Sequence, residues 1–269
     1  MVFIVGYNLY IGLHGFKMKK PSRLCLNIIF RNSYIMNNTE LSEKLIRILG
    51  LRYEPVAVKL IKKGESIPEG FIEPANNIKH CQSIMRARKG ESFIIPAGKH
   101  ACVVGASSLG LVPTPPKVKS GEFHANLGMF ECVDAAANMI SQRSELEEGS
   151  TVATIVGPLK DFKFEPDVVV LVDVPETLYW LVPAATFFEG GRQAFNTAAF
   201  QATCVDSTLI PLLTGKMNMS LGCFGCRRST DIQNEEMIAG IPYVNLEKMV
   251  ESLEKIHEGP MQKARKKEG

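Results

Sequence analysis

Apolar residues recur along this chain in two rhythms. Leu41, Leu45, Ile48 and Leu49 fall three and four apart and follow Asn37-Asn38-Thr39-Glu40. A polar cap with a carboxylate soon after it and a stripe of leucines predicts an amphipathic helix opening a domain just after Met36. From Glu54, the run Pro55-Val-Ala-Val-Lys-Leu-Ile61 is β-branched and apolar and is stopped by Lys62-Lys63-Gly64, which predicts a strand. Residues 77–88 read as a short helix ending near Gly90, residues 92–96 as a second strand, and residues 99–104 as a third element running into Gly105-Ala-Ser-Ser-Leu-Gly110. The prolines of Pro113-Thr-Pro-Pro116 predict an extended loop.

In the second half, Ala135-Ala-Ala137 with Met139 and Ile140 predicts a helix over residues 131–143, and residues 151–156 read as a strand. Pro166-Asp-Val-Val-Val-Leu-Val-Asp173 is a continuous apolar run of the kind buried on both faces of a sheet. Pro175 sits where a first helical turn would place it, ahead of Leu178, Trp180 and Leu181. Tyr179 and Trp180 lie among leucine and alanine, a core composition. The small-residue-rich residues 193–213 are predicted helical up to Gly215, and residues 232–239 and 246–256 are predicted to be closing helices. No fixed-period repeat and no linker divides the chain. The expected fold class is α+β (mixed α/β), a single globular unit with a mixed sheet flanked by helices.

Length and composition agree with that class. At 269 residues, 45% hydrophobic and 22% charged, the chain can bury a core without disulfides. Residues 1–35 differ from the remainder: Lys17, Lys19, Lys20, Arg23 and Arg31 add five positive charges with no acid among them. Their order does not fit a secretory signal, and the apolar run before them is interrupted by Asn8 and His14 and falls short of the roughly 20 residues a spanning helix needs. The expected organisation is a spurious or disordered extension over residues 1–35, a globular domain over 36–258 and a basic flexible tail over 259–269, with translation beginning at Met36. On that reading the net charge falls from +3 to −2. The tail residues Lys263, Arg265, Lys266 and Lys267 read as a solvated end, and aromatic and basic residues do not interleave as in single-strand binders. Neither nucleic acid nor membrane is expected as a partner.

Chemistry concentrates on cysteine. Seven cysteines in a long chain do not make the closed framework of a small secreted protein and point to reduced thiols or metal ligation. Cys223-Phe224-Gly225-Cys226 has the spacing at which neighbouring thiolates reach one metal or cluster, and Gly222 and Gly225 let the backbone curl so that N–H groups point at sulfur. One such pair leaves a closed site incomplete. Cys81, beside His80, and Cys102, two residues after His100, are the first candidates to complete it, then Cys204; Cys132 and Cys25 come last. Four cysteines suit an iron–sulfur cluster, with zinc as the alternative, and the absence of carboxylates at ligand spacing disfavours hard ions. Arg227 and Arg228 can offset thiolate charge or, without metal, lower a thiol pKa. Gly105 to Gly110 lacks the lysine of a phosphate loop. His124 lacks an identifiable nucleophile partner, and Glu189-Gly-Gly-Arg192 reads as a charged turn.

Pro55-Val-Ala-Val-Lys-Leu60, Cys81 ahead of a small helix, Cys102 with Gly105 and Leu109-Gly110, the Pro166-Asp-Val-Val-Val170 strand, and Ser220-Leu-Gly-Cys-Phe-Gly-Cys-Arg227 followed by Gly240-Ile-Pro242 together resemble the DUF169 family of archaeal and bacterial proteins. The resemblance runs from about residue 40 to about residue 257 and is most specific between Ser220 and Arg227. It implies a single cytoplasmic domain and no particular reaction, and it makes Cys81, Cys102, Cys223 and Cys226 one motif set. Three readings follow. The first is a metal-thiolate or iron–sulfur protein with a redox or accessory role, working with a redox partner protein or small molecule. The second is a small-molecule binding module with structural cysteines and a pocket near residues 105–110 and 189–192. The third is an enzyme that uses the Cys223 and Cys226 dithiol directly.

Overall fold

Six strands form one sheet in the order β2-β3-β1-β4-β6-β5, every neighbouring pair antiparallel. They are β1 (Val56–Lys62), β2 (Phe93–Pro96), β3 (Thr151–Pro158), β4 (Val168–Asp173), β5 (Asn218–Ser220) and β6 (Met237–Pro242). Parallel pairing is confined to two isolated bridges, Ile72 with Phe93 and Ile78 with His100, at the β2 end. The structure is a computed structural model and describes residues 36–198 and 200–260, which belong to one unit. Residues 1–35 and, of the tail expected over 259–269, residues 261–269 lie outside the described residues.

The sheet is buried on both faces because its strands carry apolar side chains at odd and even positions alike. On one face Ala57, Ile155, Leu171, Ala239 and Ile241 pack against α1 (Asn38–Leu49) and the long C-terminal helix Leu246–Glu258. The first helix has the predicted cap: the Asn37 side chain accepts from the Glu40 N–H while the Glu40 carboxylate accepts from the Asn37 N–H. On the opposite face Val56, Val58, Leu60, Val156, Val168, Val170 and Ile238 pack against α2 (His80–Ala87), Cys204 and Cys226. Cys81 and Cys223 belong to this second layer too, while Cys102 packs against the small neighbouring cluster of Val104, Val118 and Ile140.

Two predicted helices are corrected. Of residues 232–239, the part from Met237 onward is a strand, because Ile238 points to one apolar layer while Ala239 and Ile241 point to the other, a period of two, and both β4 and β5 are present to pair with it. Of residues 193–213, only the part from Ala202 onward is helical. Asn218 diverts the segment before it: the Asn196 N–H donates to Asn218 Oδ1 at 2.8 Å, and Asn218 Nδ2 donates to the Asn196 carbonyl at 2.7 Å. Those backbone groups are thereby unavailable to a helical ladder. Two loop readings also give way to helix, since Val103–Ser108 is helical and Pro116 opens the turn Pro116–Lys119.

The helix that does form over Ala202–Leu209 is a π-helix, eight residues long and buried throughout. Single-turn π-bulges are the common form of this geometry and frequently mark functional sites. Its hydroxyls follow the wider turn, Ser207 Oγ donating to the Ala202 carbonyl and Thr208 Oγ1 to the Thr203 carbonyl, both five residues back. Pro211 has no N–H to offer the Ser207 carbonyl four residues earlier. That carbonyl lies against Gly240 of β6 so closely that a Cβ there would sit 2.0 Å from its oxygen.

Behind the sheet edge a buried ionic network ties loops to α2. Arg88, with a side chain 1% exposed, donates to Glu236 at 3.0 Å and to Asp231 at 3.2 Å. Arg52 joins Glu236 to Asp173. Every buried carboxylate in the set thus has a cation, which is the condition for keeping such groups out of water.

The Gly240 contact generates a stability prediction. Gly240→Ala should lower the free energy of unfolding by at least about 3 kcal/mol, the upper end of ordinary overpacking costs, because backbone rather than a flexible side chain stands in the way. Gly50→Ala, at a helix end with φ +68° and nothing within 4 Å of the new methyl, should cost only about 1 kcal/mol. Urea unfolding of the two variants measures the difference, and equal costs would remove the packing explanation.

Candidate thiol site and family membership

Five cysteines line one cavity of about 220 Å³: Cys81, Cys102, Cys204, Cys223 and Cys226. Four separate elements deliver them. Cys81 is near the start of α2 and Cys102 caps the helix Val103–Ser108. Cys204 lies on the π-helix, and Cys223 caps the helix Phe224–Ser229, which carries Cys226. Cys132 is exposed, caps the helix Val133–Ser141 and stands apart from the cavity; Cys25 lies outside the described residues.

The local geometry is built around sulfur. The Cys226 N–H donates to Cys223 Sγ at 3.2 Å, and the Ala202 backbone also bonds to that sulfur. The Cys81 and Cys226 side chains are hydrogen-bonded to each other. A methyl group on Gly105 would stand 3.2 Å from Cys204 Sγ and 3.7 Å from Cys102 Sγ, so glycine keeps the space between two walls of the cavity open. Gly225 has the same relation to Cys223 Sγ at 3.9 Å. Glycine beside a sulfur, expected at residue 225 from the C-x-x-C spacing, thus recurs at residue 105.

Burial decides the electrostatics. Cys81 is held far above the ordinary thiol range by its hydrogen bond with Cys226, then by burial and the charge of that neighbour; desolvation pushes Cys204 and Cys223 up as well. His80, 3% exposed, is pushed down to about 3 by burial, with His100 adding to the shift, and is neutral at physiological pH. Its Nε2 is 3.1 Å from Thr208 Oγ1. The Thr208 hydroxyl already donates its one proton to the Thr203 carbonyl, so Nε2 is the donor and His80 Nδ1 carries a bare lone pair. That nitrogen is buried and has no hydrogen-bond partner.

The remaining sequence candidates fall into structural roles. Arg227 spends its guanidinium on the carbonyls of Leu221, Gln233 and Glu236, clamping the loop before β6, and Arg228 lies over the Phe224 ring. The Ala106, Leu109 and Gly110 N–H groups donate to the Cys102, Gly105 and Ser107 carbonyls, so these backbone donors are not free to cradle an anion, although Gly105 itself lines the thiol cavity. His124 is wholly buried in the cavity wall between the rings of Phe123 and Phe200, with Nε2 3.2 Å from Gln201 Nε2. Glu189 pairs with Lys248 on the surface. Sequence reasoning ranked Cys204 below the other four and passed over Gln201, the one described non-glycine residue with positive φ, and the π-helix that follows it. A signal was present in Cys204 itself, but a single cysteine in a run of small residues carries no spacing.

Among the described residues no three His, Cys, Asp or Glu side chains converge in a set that could hold a metal ion. No helix among the described residues is long and apolar enough to cross a membrane.

Comparison with known proteins places the chain. Its residues 44–252 match the DUF169 family, described as Uncharacterised ArCR. It is 32% identical to the uncharacterized protein MJ0308 of Methanocaldococcus jannaschii over 217 residues, covering 80% of this chain and 93% of that protein. No solved structure matches it. The matched span holds all five cavity cysteines and every strand of the sheet, and on that extent of likeness the chain belongs to the DUF169 family.

Proposed function

We propose that this protein holds an iron–sulfur cluster through Cys81, Cys102, Cys223 and Cys226 and serves a redox or accessory role. The observation that carries the reading is the meeting of five thiols from four elements around one cavity. Such a donor set suits soft metals, and the sulfur-directed N–H groups at Cys223 are of the kind that tune a cluster. A lone zinc ion needs four donors about 2.3 Å from one point, and no such set converges among the described residues. When bound, the cluster supplies one-electron chemistry, for which an electron partner would be required. The protein's own residues hold the thiolates, give the cavity apolar lining at Val104, Phe123 and Leu127, and offer the bare His80 nitrogen beside Cys81.

The direct dithiol reading is less well supported. A nucleophilic thiol needs a lowered pKa, whereas the hydrogen bond with Cys226 followed by burial raises Cys81, and burial raises Cys204 and Cys223. Metal binding reverses this by trading the thiol proton for the metal.

Two experiments test the reading. Full-length protein purified without oxygen and reconstituted with iron and sulfide should carry the two in near-equal amounts, with broad visible absorption that bleaches on reduction. Cys81→Ser, Cys102→Ser, Cys223→Ser and Cys226→Ser should each lose at least about tenfold in cluster content, the scale expected when a metal site is disrupted. Cys132→Ser and Cys204→Ser should retain it; zinc alone, or no iron and sulfide after reconstitution, overturns the proposal. In metal-free protein at neutral pH, iodoacetamide should modify exposed Cys132 well before Cys81, Cys204 or Cys226 among the described cysteines, as read by peptide mapping. Fast modification of Cys226 would restore the dithiol reading.

A further inference from the structure

Beyond the wall formed by Phe200 and Gln201 lies a second cavity, of about 160 Å³, which shares those two residues with the thiol cavity. Its lining differs in kind. Arg143, Asp206, Asn196 and Thr197 contribute to it, and two of these are charged groups whose side chains are withdrawn from water.

The Arg143 side chain is 3% exposed. Its Nη2 donates to Thr114 Oγ1 at 3.2 Å and to the Glu145 carboxylate, while Nε and Nη1 are buried without an acceptor. Guanidinium donors without acceptors are costly in a buried position. Asp206, 3% exposed, sits on the π-helix, and its carboxyl accepts from Thr197 Oγ1 at 2.7 Å and Ser220 Oγ at 3.0 Å. It pairs with no cation among the described residues, and burial pushes it up to about 6 in spite of the two hydroxyls and a hydrogen bond from the Ala198 backbone.

A buried cation and a buried carboxyl thus line one small cavity, and they make no ion pair with each other. Opposite charges in a poorly hydrated space attract strongly, so side chains free to close on each other would do so. Here each is held by other partners, Arg143 by Thr114 and the Glu145 carboxylate and Asp206 by Thr197, Ser220 and the Ala198 backbone. A molecule with a negative and a positive end fits the space between them better than any ion of one sign, which would meet repulsion from one of the two.

We infer that this second cavity is a binding site for a small zwitterion of the α-amino acid class, its carboxylate on Arg143 and its ammonium on Asp206. Asn196, Thr197 and Gln201 supply neutral polar lining beside it. The site does not depend on the cluster reading, since none of the five cavity thiols lines it.

The test is calorimetric titration and thermal shift on the full chain with glycine, L-alanine, L-serine and L-glutamate, and with acetate and methylamine as half-ligands. At least one amino acid should bind and raise the melting temperature, and neither half-ligand should do so at the same concentration. Arg143→Gln and Asp206→Asn should each weaken that binding by at least about 30-fold, as expected when one partner of a buried charge pair is removed. Arg143→Lys, which keeps the charge, should recover part of it, and circular dichroism identifies any variant that has not folded. Cys223→Ser should bind the amino acid as the parent does, so failure of the cluster proposal leaves this one standing. Absence of binding by all four amino acids, acetate binding as tightly as they do, or full affinity in both charge variants would overturn the inference.

Discussion

The close approach of Gly240 to the Ser207 carbonyl is the contact on which the rest of this structure depends. It lets the π-helix lie directly on β6, with no side chain between the two backbones. With the helix at that depth, Cys204 reaches the thiol cavity, Thr208 reaches His80, and Asp206 turns toward Thr197 and Ser220. A shallower helix would displace all three by the same movement. One missing Cβ therefore sets the geometry of two neighbouring cavities.

The layering of the molecule separates stability from chemistry. The face covered by the first and last helices is packed with aliphatic side chains and holds no cysteine. The opposite face accommodates cysteine sulfur, neutral histidine and hydroxyl groups, with the buried Arg88 and Glu236 network fixing the loop before β6. That ionic network anchors position more than it adds stability, because a buried pair costs desolvation that its attraction only partly returns. Its value lies in holding the segment that Arg227 clamps, and with it the turn carrying Cys223 and Cys226.

The two cavities meet at Phe200 and Gln201, where the backbone takes a left-handed conformation before the π-helix begins. Left-handed backbone at a residue with a side chain costs of order 1 kcal/mol or more, and it persists where the surroundings impose it. Here the surroundings are His124 on one side and the Asp206 side of the chain on the other. The strained residue is thus the partition between an apolar, thiol-lined space and a polar, charged one.

Local sequence pattern determined the elements whose period is unambiguous: the capped first helix, strands β1 to β4, the C-terminal helix and the C-x-x-C pair. Each of these follows from interactions within a few residues, so their reading needs no knowledge of the fold. The DUF169 resemblance was legible in the same stretches. Tertiary structure alone decided that Met237 to Pro242 is a strand, because the partners β4 and β5 that satisfy its backbone lie far away in sequence. It alone decided that residues 193–198 are not helical, since the Asn218 side chain captures the Asn196 backbone from 22 residues away. The gathering of Cys81, Cys102 and Cys204 around the Cys223 and Cys226 pair belongs to the same class. Sequence spacing constrains only neighbours along the chain, and these sulfurs become neighbours through the packing of one helical layer on one face of a sheet.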